Sequence, residues 1–474
     1  MRNDVVSERF IIRGKWTTIA PVHIGGEARD ESSADMQLAV DSKGKYYIPG
    51  ASIAGAARSY LAKRLQNATD FRSGNEQGVL RALFGDDFQS LLTVFDAPCT
   101  SSSQPGIRDG IEMDQKTRIA ADKRKYLIEV LEAGVTFEFC FWLSIYPQNP
   151  FKVDRSEILR LVRTMLEGFS AEHEIQLGAK VRKGWGKGKV DNWMIWQYRM
   201  PDHIEQWLNL CGLHPVSRDD AGEVIDLNKL GQPLTDDQRR YFTIEADLAV
   251  KTSILVRRTS EVLDEPDFIH TSANGQGMIP GTSAAGALRA RVEKIAKTVL
   301  PDADGMLNSM LGPRYDDAKK TPLTAGRLWI EEQALEKGSL RVQGRNSIDR
   351  FTGGTIDGAL FHEAPWWPDS INQENWKLHV ALELTDDDVT TRKEAALILH
   401  AFRDLWVGDL SIGGEASGGR GVFLGVKALL EFPGKPKLTM RRAGEDTVTV
   451  AFEGSNAEAA WKEWGAIETA LVEQ

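Results

Sequence analysis

The sequence predicts an α+β fold made of two tandem ferredoxin-like domains, each with the element order β-α-β-β-α-β. The first observation is a repeat, because IPGASIAGAAR at residues 48–58 returns as IPGTSAAGALR at residues 279–289. The second is that three further landmarks follow in the same order at nearly the same spacing, which chance does not explain. They are Leu83-Phe84-Gly85 with Met310-Leu311-Gly312, Met113-Asp114 with Ile348-Asp349, and LGAKVRKGWGKG from Leu177 with IGGEASGGRGVF from Ile412.

The elements of the first copy follow from hydrophobic periodicity and turn residues. A segment rich in Ile, Thr and Val predicts a strand at residues 8–24. The Pro49-Gly50 turn then precedes a helix whose expected N-cap is Ser52. Apolar residues at helical spacing continue that helix. Further strands are predicted at residues 90–98, 135–145 and 189–199, a helix at 155–169, and a basic turn-rich segment at 114–126.

The second copy repeats this order of elements, which predicts a second domain of the same kind. Its strands are expected near residues 241–256, 326–334, 377–384 and 421–430, and its helices near 283–299 and 390–406. The domain boundaries follow from these elements. We expect a first domain at 1–200, a linker with one short helix at 201–238, a second domain at 239–436 and a C-terminal appendage at 437–474.

Composition limits the function classes. The chain has 474 residues, a net charge of −10 and a pI near 5.5, which argues against a free, nonspecific nucleic-acid binder. Its three cysteines lack CxxC spacing, which fits a reducing compartment and supports neither disulfides nor a zinc site. The sequence contains no apolar run long enough to span a bilayer and no secretory leader, so we expect a cytoplasmic protein without membrane contact.

Two short basic segments, residues 116–125 and 180–189, stand out against this acidic background. Both lie in glycine-rich or turn-rich sequence, which favours phosphate contact, although a solvated charged face is the simpler alternative. Trp185, within the second segment, is a candidate for stacking on a base. The second glycine-rich loop offers only Arg420. The candidate RNA-binding cations are Lys116, Arg118, Lys123, Arg124, Arg182, Lys183 and Lys187.

The IPG segments begin the first helix of each copy and suggest a second kind of phosphate contact. Free amide groups at a helix N-terminus bind anions, and small residues allow the backbone to approach. Ser52 and Ser283 lie in the first turns, and Arg58 and Arg289 add charge six residues later in each helix. The structural alternative is that proline and glycine make the turn and serine caps the helix.

Together, HIGG at residues 23–26, the IPG helices, IDRFTG at 348–353 and the glycine-rich loops resemble the RAMP superfamily of repeat-associated RNA-binding proteins. They are similar in particular to the backbone subunits of type III CRISPR effector complexes. A single chain with two such domains resembles the fused double backbone subunit of the type III-D variants. The resemblance covers nearly the whole chain. It implies that each domain holds guide RNA and inserts a β-hairpin thumb into the guide-target duplex, with contacts from His23, Gly25, Gly26, Arg350 and Phe351.

The resemblance also implies target RNA cleavage by an aspartate in the loop after the first strand. Asp35 matches that position in the first copy, and Asp267 is the counterpart in the second, with Asp264 close enough to compete. A carboxylate on such a loop can bind Mg²⁺ together with phosphate oxygens, or can accept a hydroxyl proton. The alternative is that both aspartates cap turns or pair with arginines.

The expected function is therefore a guide-RNA-binding subunit that acts with other subunits of a type III complex on single-stranded target RNA. One alternative is a guide-precursor-processing endoribonuclease of the same superfamily, which would use histidine acid-base chemistry. Another is a noncatalytic scaffold that lines the duplex. Trp366 and Trp367, in a proline-flanked segment, are expected to anchor a neighbouring subunit.

Overall fold

The computed structural model divides the chain into two compact units. The first comprises Met1–Val181 and Trp185–Arg239, and the second Arg182–Gly184 and Arg240–Gln474. The described residues are 5–27, 34–65, 75–85, 89–113, 120–147, 152–171, 174–210, 222–235, 237–259, 265–273, 275–314, 324–371, 373–444, 447–453 and 457–471; for 75–77, 112–113, 120–124 and 259 only the backbone is described. No helix among them is long and apolar enough to cross a membrane.

The first unit is an antiparallel sheet covered by helices. Its order is β3-β7-β1-β8-β9, so that the first strand is central. A separate hairpin of β5 and β6 stands outside this sheet. The elements are β1 Glu8–Thr18, β2 Tyr47–Ile48, α1 Gly50–Arg64, α2 Asn75–Phe84, β3 Leu92–Val94, β4 Ala97–Pro98, β5 Gly106–Met113, β6 Ala120–Val130, β7 Thr136–Ile145, α3 Arg155–Ser170, β8 Gly188–Arg199, α4 Ile204–Leu208 and β9 Glu223–Ile225.

Alternation along β1 explains why this sheet has a helix-covered face. Phe10, Ile12 and Trp16 are buried in the first core together with apolar residues of α1 and α3. The ladder between β1 and β8 is irregular between Gly14 and Trp16. A side chain on Gly14 would lie 2.7 Å from the Trp193 ring, so only glycine fits there.

The second unit repeats this sheet and enlarges it. Its order is β15-β21-β10-β22-β23-β24, and β11, β12, β19 and β18 form a second, smaller sheet. The elements are β10 Tyr241–Val250, β11 Arg257–Thr259, β12 Phe268–His270, β13 Ser272–Ala273, β14 Gln276–Ile279, α5 Gly281–Val299, α6 Asp304–Leu311, β15 Leu328–Ile330, β16 Gln333–Ala334, β17 Gly338–Leu340, β18 Gln343–Arg345, β19 Phe361–Ala364, β20 Trp366–Pro368, β21 Trp376–Glu383, α7 Asp388–Val407, β22 Phe423–Glu431, β23 Leu438–Arg442, β24 Val448–Phe452 and α8 Ala457–Glu468.

The fold is thus mixed α+β with antiparallel main sheets. In both main sheets the first strand lies between the third and the last strand of the expected pattern. The segment after Pro436 adds β23 and β24 to the second sheet, and Trp464 and Ile467 of α8 belong to its core.

Three local expectations need correction. The first strand ends at Thr18, because the N–H groups of Ile19 and Ala20 both turn to the Lys187 carbonyl and Pro21 then has no N–H to donate. The helix N-caps are Pro49 and Pro280 without side-chain capping bonds, and the serines lie inside the first turns. Trp366 is 1% exposed in the second core, so it does not form an exposed anchor.

Candidate nucleic-acid interface

Asp35 lies in the loop after β1 and its carboxylate is held by the hairpin. Its Oδ2 accepts a hydrogen bond from the backbone N–H of Leu127 on β6, at 2.8 Å. The next residue, Met36, forms a parallel bridge with Ile128, so the loop is fixed against the strand at this point. Asp35 is exposed, and its other oxygen accepts no hydrogen bond within the described residues. One carboxylate oxygen therefore faces solvent.

Asp267 has the same arrangement in the second unit. Its Oδ2 accepts a hydrogen bond from the backbone N–H of His362 on β19, at 2.8 Å. The next residue, Phe268, pairs in parallel with Glu363. Asp267 is also exposed. Asp35 and Asp267 are therefore equivalent by geometry as well as by spacing, while Asp264 lies outside the described residues.

The same hydrogen bonds identify the counterpart of the HIGG motif. The His23 carbonyl accepts from Ala179 N–H at 2.9 Å, and the Leu255 carbonyl accepts from Gly414 N–H at 2.8 Å. Sequence comparison missed this correspondence. Residues 23–26, HIGG, therefore correspond to residues 255–258, which read LVRR. The second unit has two arginines where the first has two glycines.

The burial of His23 changes the role expected for it. Its side chain is 1% exposed, and its Nδ1 lies 2.7 Å from the Glu129 carbonyl oxygen. The ring therefore supports the loop from inside and offers no face to RNA. Gly25 and Gly26 are exposed, and a side chain on Gly26 would lie 2.6 Å from the Ala39 backbone. This stretch therefore presents backbone, as a phosphate contact requires.

The first glycine-rich loop is packed more closely than the sequence indicated. Trp185 is 3% exposed and belongs to a small core with Ile128 and Val130, so it offers no stacking surface. The Lys180 Nζ lies 5.1 Å from the Trp185 ring centre, within cation-π distance. Lys187 is also buried, at 5% exposure.

Arg182 and Lys183 are partly exposed, and both belong to the second unit. The Arg182 guanidinium lies over the Trp329 ring at 4.8 Å. Burial, together with nearby Arg289 and Arg182, lowers the pKa of Lys183 to about 8. A bound anion would favour the charged form of this lysine.

Arg420 in the second glycine-rich loop is committed to a buried ion network and so differs from the expected RNA contact. It is 3% exposed, pairs with buried Glu363, and has its Nε 2.9 Å from Glu415. Arg345 binds the same two carboxylates, at 2.7 Å and 3.2 Å. Arg257 lies 2.7 Å from Glu415. This network fixes the loop to β11, β18 and β19.

The N-terminus of α1 already bonds to a carboxylate of the protein itself. At α1 the Gly50 N–H donates to the Asp96 carboxylate at 2.7 Å, so an acid already occupies the first amide. Ser52 is exposed and Arg58 is partly exposed. Ser283, at α5, is partly exposed.

Arg289 is committed to the protein rather than directed at a ligand. Its Nε lies 2.8 Å from Glu293, and its other nitrogens donate to the carbonyls of Leu311 and Gly312, at 3.1 Å and 2.8 Å. The guanidinium thereby closes the end of α6, which argues against the predicted RNA contact.

In the second unit, β18 and β19 pair as a hairpin whose tip is exposed. The Asp349 carboxylate accepts the backbone N–H groups of Phe351 and Thr352, at 2.7 Å and 2.9 Å, and bonds from Thr352 and Phe351 lower its pKa. Phe351 is fully exposed, at 101%, and Arg350 beside it is exposed. The turn is thus held internally and displays an aromatic ring.

The cations predicted at the tip of the first hairpin lie outside the described side chains. Lys116 and Arg118 lie outside the described residues. Lys123 and Arg124 lie on β6, of which only the backbone is described at these two positions.

A metal site at either aspartate would be an open one. Among the residues described, none form a group of three or more His, Cys, Asp or Glu suited to hold a metal. Mg²⁺ commonly uses one or two carboxylates and completes its shell with water and substrate phosphate oxygens. The free oxygens of Asp35 and Asp267 fit that pattern, which requires bound RNA.

Comparison with known proteins agrees with the repeated architecture. Among curated proteins, none matches this chain. The family model described as RAMP superfamily matches residues 15–189 and again residues 263–423, more than half of the chain in total. The two matches each include one of the held aspartates, and on this evidence the chain belongs to the RAMP superfamily.

Proposed function

We propose that this chain is a guide-RNA-binding backbone subunit of a type III CRISPR ribonucleoprotein, similar to the fused subunit of type III-D, and that it cleaves target RNA. Membership in the RAMP superfamily supports a CRISPR-associated role in RNA binding. The repeated strand order supports two ferredoxin-like domains, each with an inserted hairpin. Guide RNA, single-stranded target RNA and other effector subunits are the proposed partners, and the cytoplasm is the proposed compartment.

One observation carries the proposal of cleavage: the two aspartates are held in the same way. In each unit an exposed carboxylate accepts one backbone N–H from the hairpin and keeps its second oxygen towards solvent. A carboxylate that only closed a turn within its own loop would not need the hairpin strand. In the proposed complex, attachment to the hairpin would position the acid beside the nucleotide that the hairpin displaces.

Cleavage requires the 2′-oxygen, the phosphorus and the leaving oxygen to lie in line. Flipping a nucleotide out of the duplex frees its ribose to reach that geometry, and the fully exposed Phe351 ring is suited to fill the space left in the stack. Asp35 and Asp267 would hold Mg²⁺ through their free oxygens. The ion would neutralise charge on the phosphate.

The test is cleavage of guide-matched target RNA by the assembled complex. Asp35→Asn should remove one cut and Asp267→Asn another, each with a loss of about 100-fold or more, while target binding persists. EDTA should suppress both cuts. Asp41→Asn is the matched control, because Asp41 only accepts the N–H groups of Lys43 and Lys45 in its own turn.

The two alternative functions, precursor processing and a noncatalytic scaffold, predict different cleavage results. A guide-precursor-processing enzyme would cut precursor RNA without a target, and a scaffold would bind without cutting. Unchanged target cleavage in the Asp35→Asn, Asp267→Asn double variant would contradict the proposal.

A further inference from the structure

The face of the small sheet that carries Asp267 also carries an exposed histidine. β12 and β19 are parallel with Phe268 opposite Glu363, so the preceding residues, Asp267 and His362, also stand opposite each other. Side chains alternate along a strand, so Asp267 and His362 share the face opposite to Phe268 and Glu363. Neighbouring strands lie roughly 5 Å apart, and both residues are exposed.

The imidazole of His362 is not used to hold Asp267. The backbone N–H of His362 makes that hydrogen bond. Gly344 lies opposite His362 on β18, and even an added Cβ there would remain 3.8 Å from the ring Nε2. Glycine thus leaves the imidazole uncovered on this side.

A cation shares the same face. Arg258 on β11 stands opposite Ile269, so it points to the side of Asp267 and His362. Its guanidinium is partly exposed and lies 3.8 Å from the Glu265 carboxylate, which is also exposed. Exposed ion pairs of this kind contribute little to stability. A carboxylate, an imidazole and a guanidinium therefore share one face of the small sheet.

The first unit has no such group at the matched positions. Leu127 takes the place of His362 beside Asp35, and Gly26 takes the place of Arg258. The histidine is therefore not needed to build the loop, because the first copy builds it with leucine. A ligand-directed role accounts for an exposed imidazole at this position.

We propose that His362 is a second catalytic group of the second domain and receives the 2′-hydroxyl proton of target RNA; the inference rests on the proposed function. As the proton passes to the imidazole, the 2′-oxygen bonds to phosphorus. The bond from phosphorus to the 5′-oxygen breaks, and the departing oxygen keeps the electron pair and takes a proton from water. The imidazolium returns its proton to the hydroxide so formed. The products carry a 2′,3′-cyclic phosphate and a 5′-hydroxyl.

The experiment measures both cuts separately in the assembled complex, with Asp35→Asn and Asp267→Asn used to assign each cut to its domain. His362→Leu copies the residue of the first unit and keeps the backbone N–H that holds Asp267. We expect it to slow the second cut about 100-fold or more and to leave the first unchanged. Added imidazole should restore part of the second cut in His362→Ala.

His400→Leu is the matched control, because His400 is a partly exposed histidine on α7 of the same unit, away from Asp267, and it should alter neither cut by more than about threefold. Guide binding and thermal melting of His362→Leu should match the unaltered protein. If the second cut is lost in Asp267→Asn but proceeds at full rate in His362→Leu, the proposed role of His362 is wrong and the proposed function of the chain still stands. If Asp267→Asn changes neither cut, the proposed function itself fails.

Discussion

The two glycine-rich loops share a backbone shape and differ in the chemistry that supports it. Lys180 in the first loop and Glu415 in the second both have a left-handed backbone, with φ of 56° and 61°. Lys180 lies against the rings of Tyr126 and Trp185, at 5.0 Å and 5.1 Å. Glu415 instead belongs to the ion network around Arg420. The same backbone is therefore compatible with an aromatic support and with an ionic one.

This difference shows that the two repeats share the backbone hydrogen bonds of the loop and not its side-chain contacts. In both units the loop donates a backbone N–H to the segment after the first strand, through Ala179 and Gly414. Backbone hydrogen bonds of this kind do not depend on side-chain identity. The side chains beneath the loops could therefore diverge into different contacts, and the same holds for His23 and Leu255, whose carbonyls accept those bonds.

The largest expected effect comes from breaking the ionic support. Arg420→Met leaves Glu363, which is fully buried, with one fewer cation. Removing one partner of a buried pair costs about 3–5 kcal/mol, whereas a well-packed apolar replacement of the whole network can be neutral. Urea unfolding should therefore show a large loss of stability for Arg420→Met.

Lys180→Met is the matched variant in the first loop. Its lysine rests on aromatic rings, and methionine can keep that packing, so we expect a loss below about 1 kcal/mol. Equal losses for Arg420→Met and Lys180→Met would show that the two loops are supported alike.

The repeat, the main strands and the helices could be predicted because their patterns extend over many residues. The positions of single side chains in loops could not. Trp185 stands in a glycine-rich segment without periodicity, so nothing in its neighbours indicated that Ile128 and Val130 would cover it. Arg420 looked like a free cation because its partner Glu363 is distant in sequence.

The candidate site illustrates the same limit. The family resemblance suggested Asp35, and a similar spacing before the second IPG helix suggested Asp267, whereas the hairpin residues that hold both aspartates could not be predicted. The motif HIGG and its counterpart LVRR share no residue, so only their hydrogen bonds relate them. Comparing the two repeats in sequence identifies equivalent positions where the side chains are the same. It misses equivalent positions where only the backbone hydrogen bonds are the same.

A second difference between the units concerns acid stability. His270 takes the position of Leu38, as the bridges of Gly25 with Leu38 and Arg257 with His270 indicate. Burial lowers the pKa of His270 to about 4, below its ordinary 6.5, and its Nδ1 accepts the Val256 N–H at 3.0 Å. Between these pH values the unfolded chain binds a proton that the folded chain does not. Stability should therefore fall with acidification, by up to about 1.4 kcal/mol per pH unit.

His270→Leu should remove that slope and so sharpen the comparison. The variant loses the bond to Val256 and should be less stable by about 1 kcal/mol near neutral pH. At low pH it should become the more stable protein, and unfolding curves at several pH values would reveal the crossing. Parallel curves for the two proteins would mean that His270 takes up its proton in the folded protein as readily as in the unfolded chain.

The smallest expected effect concerns Lys183, whose charge should lower the stability of the free protein and strengthen guide binding. The depressed pKa of Lys183 means that folding is less favourable below pH 8, where the folded protein holds a partly buried charge near Arg182 and Arg289. As the pH rises from 8 towards the ordinary lysine range, the folded chain releases this proton first and gains stability. Lys183→Met should remove that gain and, without RNA, should stabilise the protein by about 1 kcal/mol at neutral pH.

With guide RNA bound the order should reverse, because a phosphate at Lys183 supplies the missing countercharge. Lys183→Met should then weaken guide binding. It should also reduce the slope of log affinity against log salt concentration by about the amount expected for one phosphate contact. Lys189→Met is the control, since Lys189 is partly exposed beside Asp191 and should change the free energy of unfolding by less than about 0.5 kcal/mol. The matched position of the second loop is Gly418, which has no charge to lose. If Lys183→Met stabilised the free protein and left guide binding unchanged, the charge of Lys183 would destabilise the first loop without contributing to RNA binding. The two loops would then differ only in the side chains that pack beneath them.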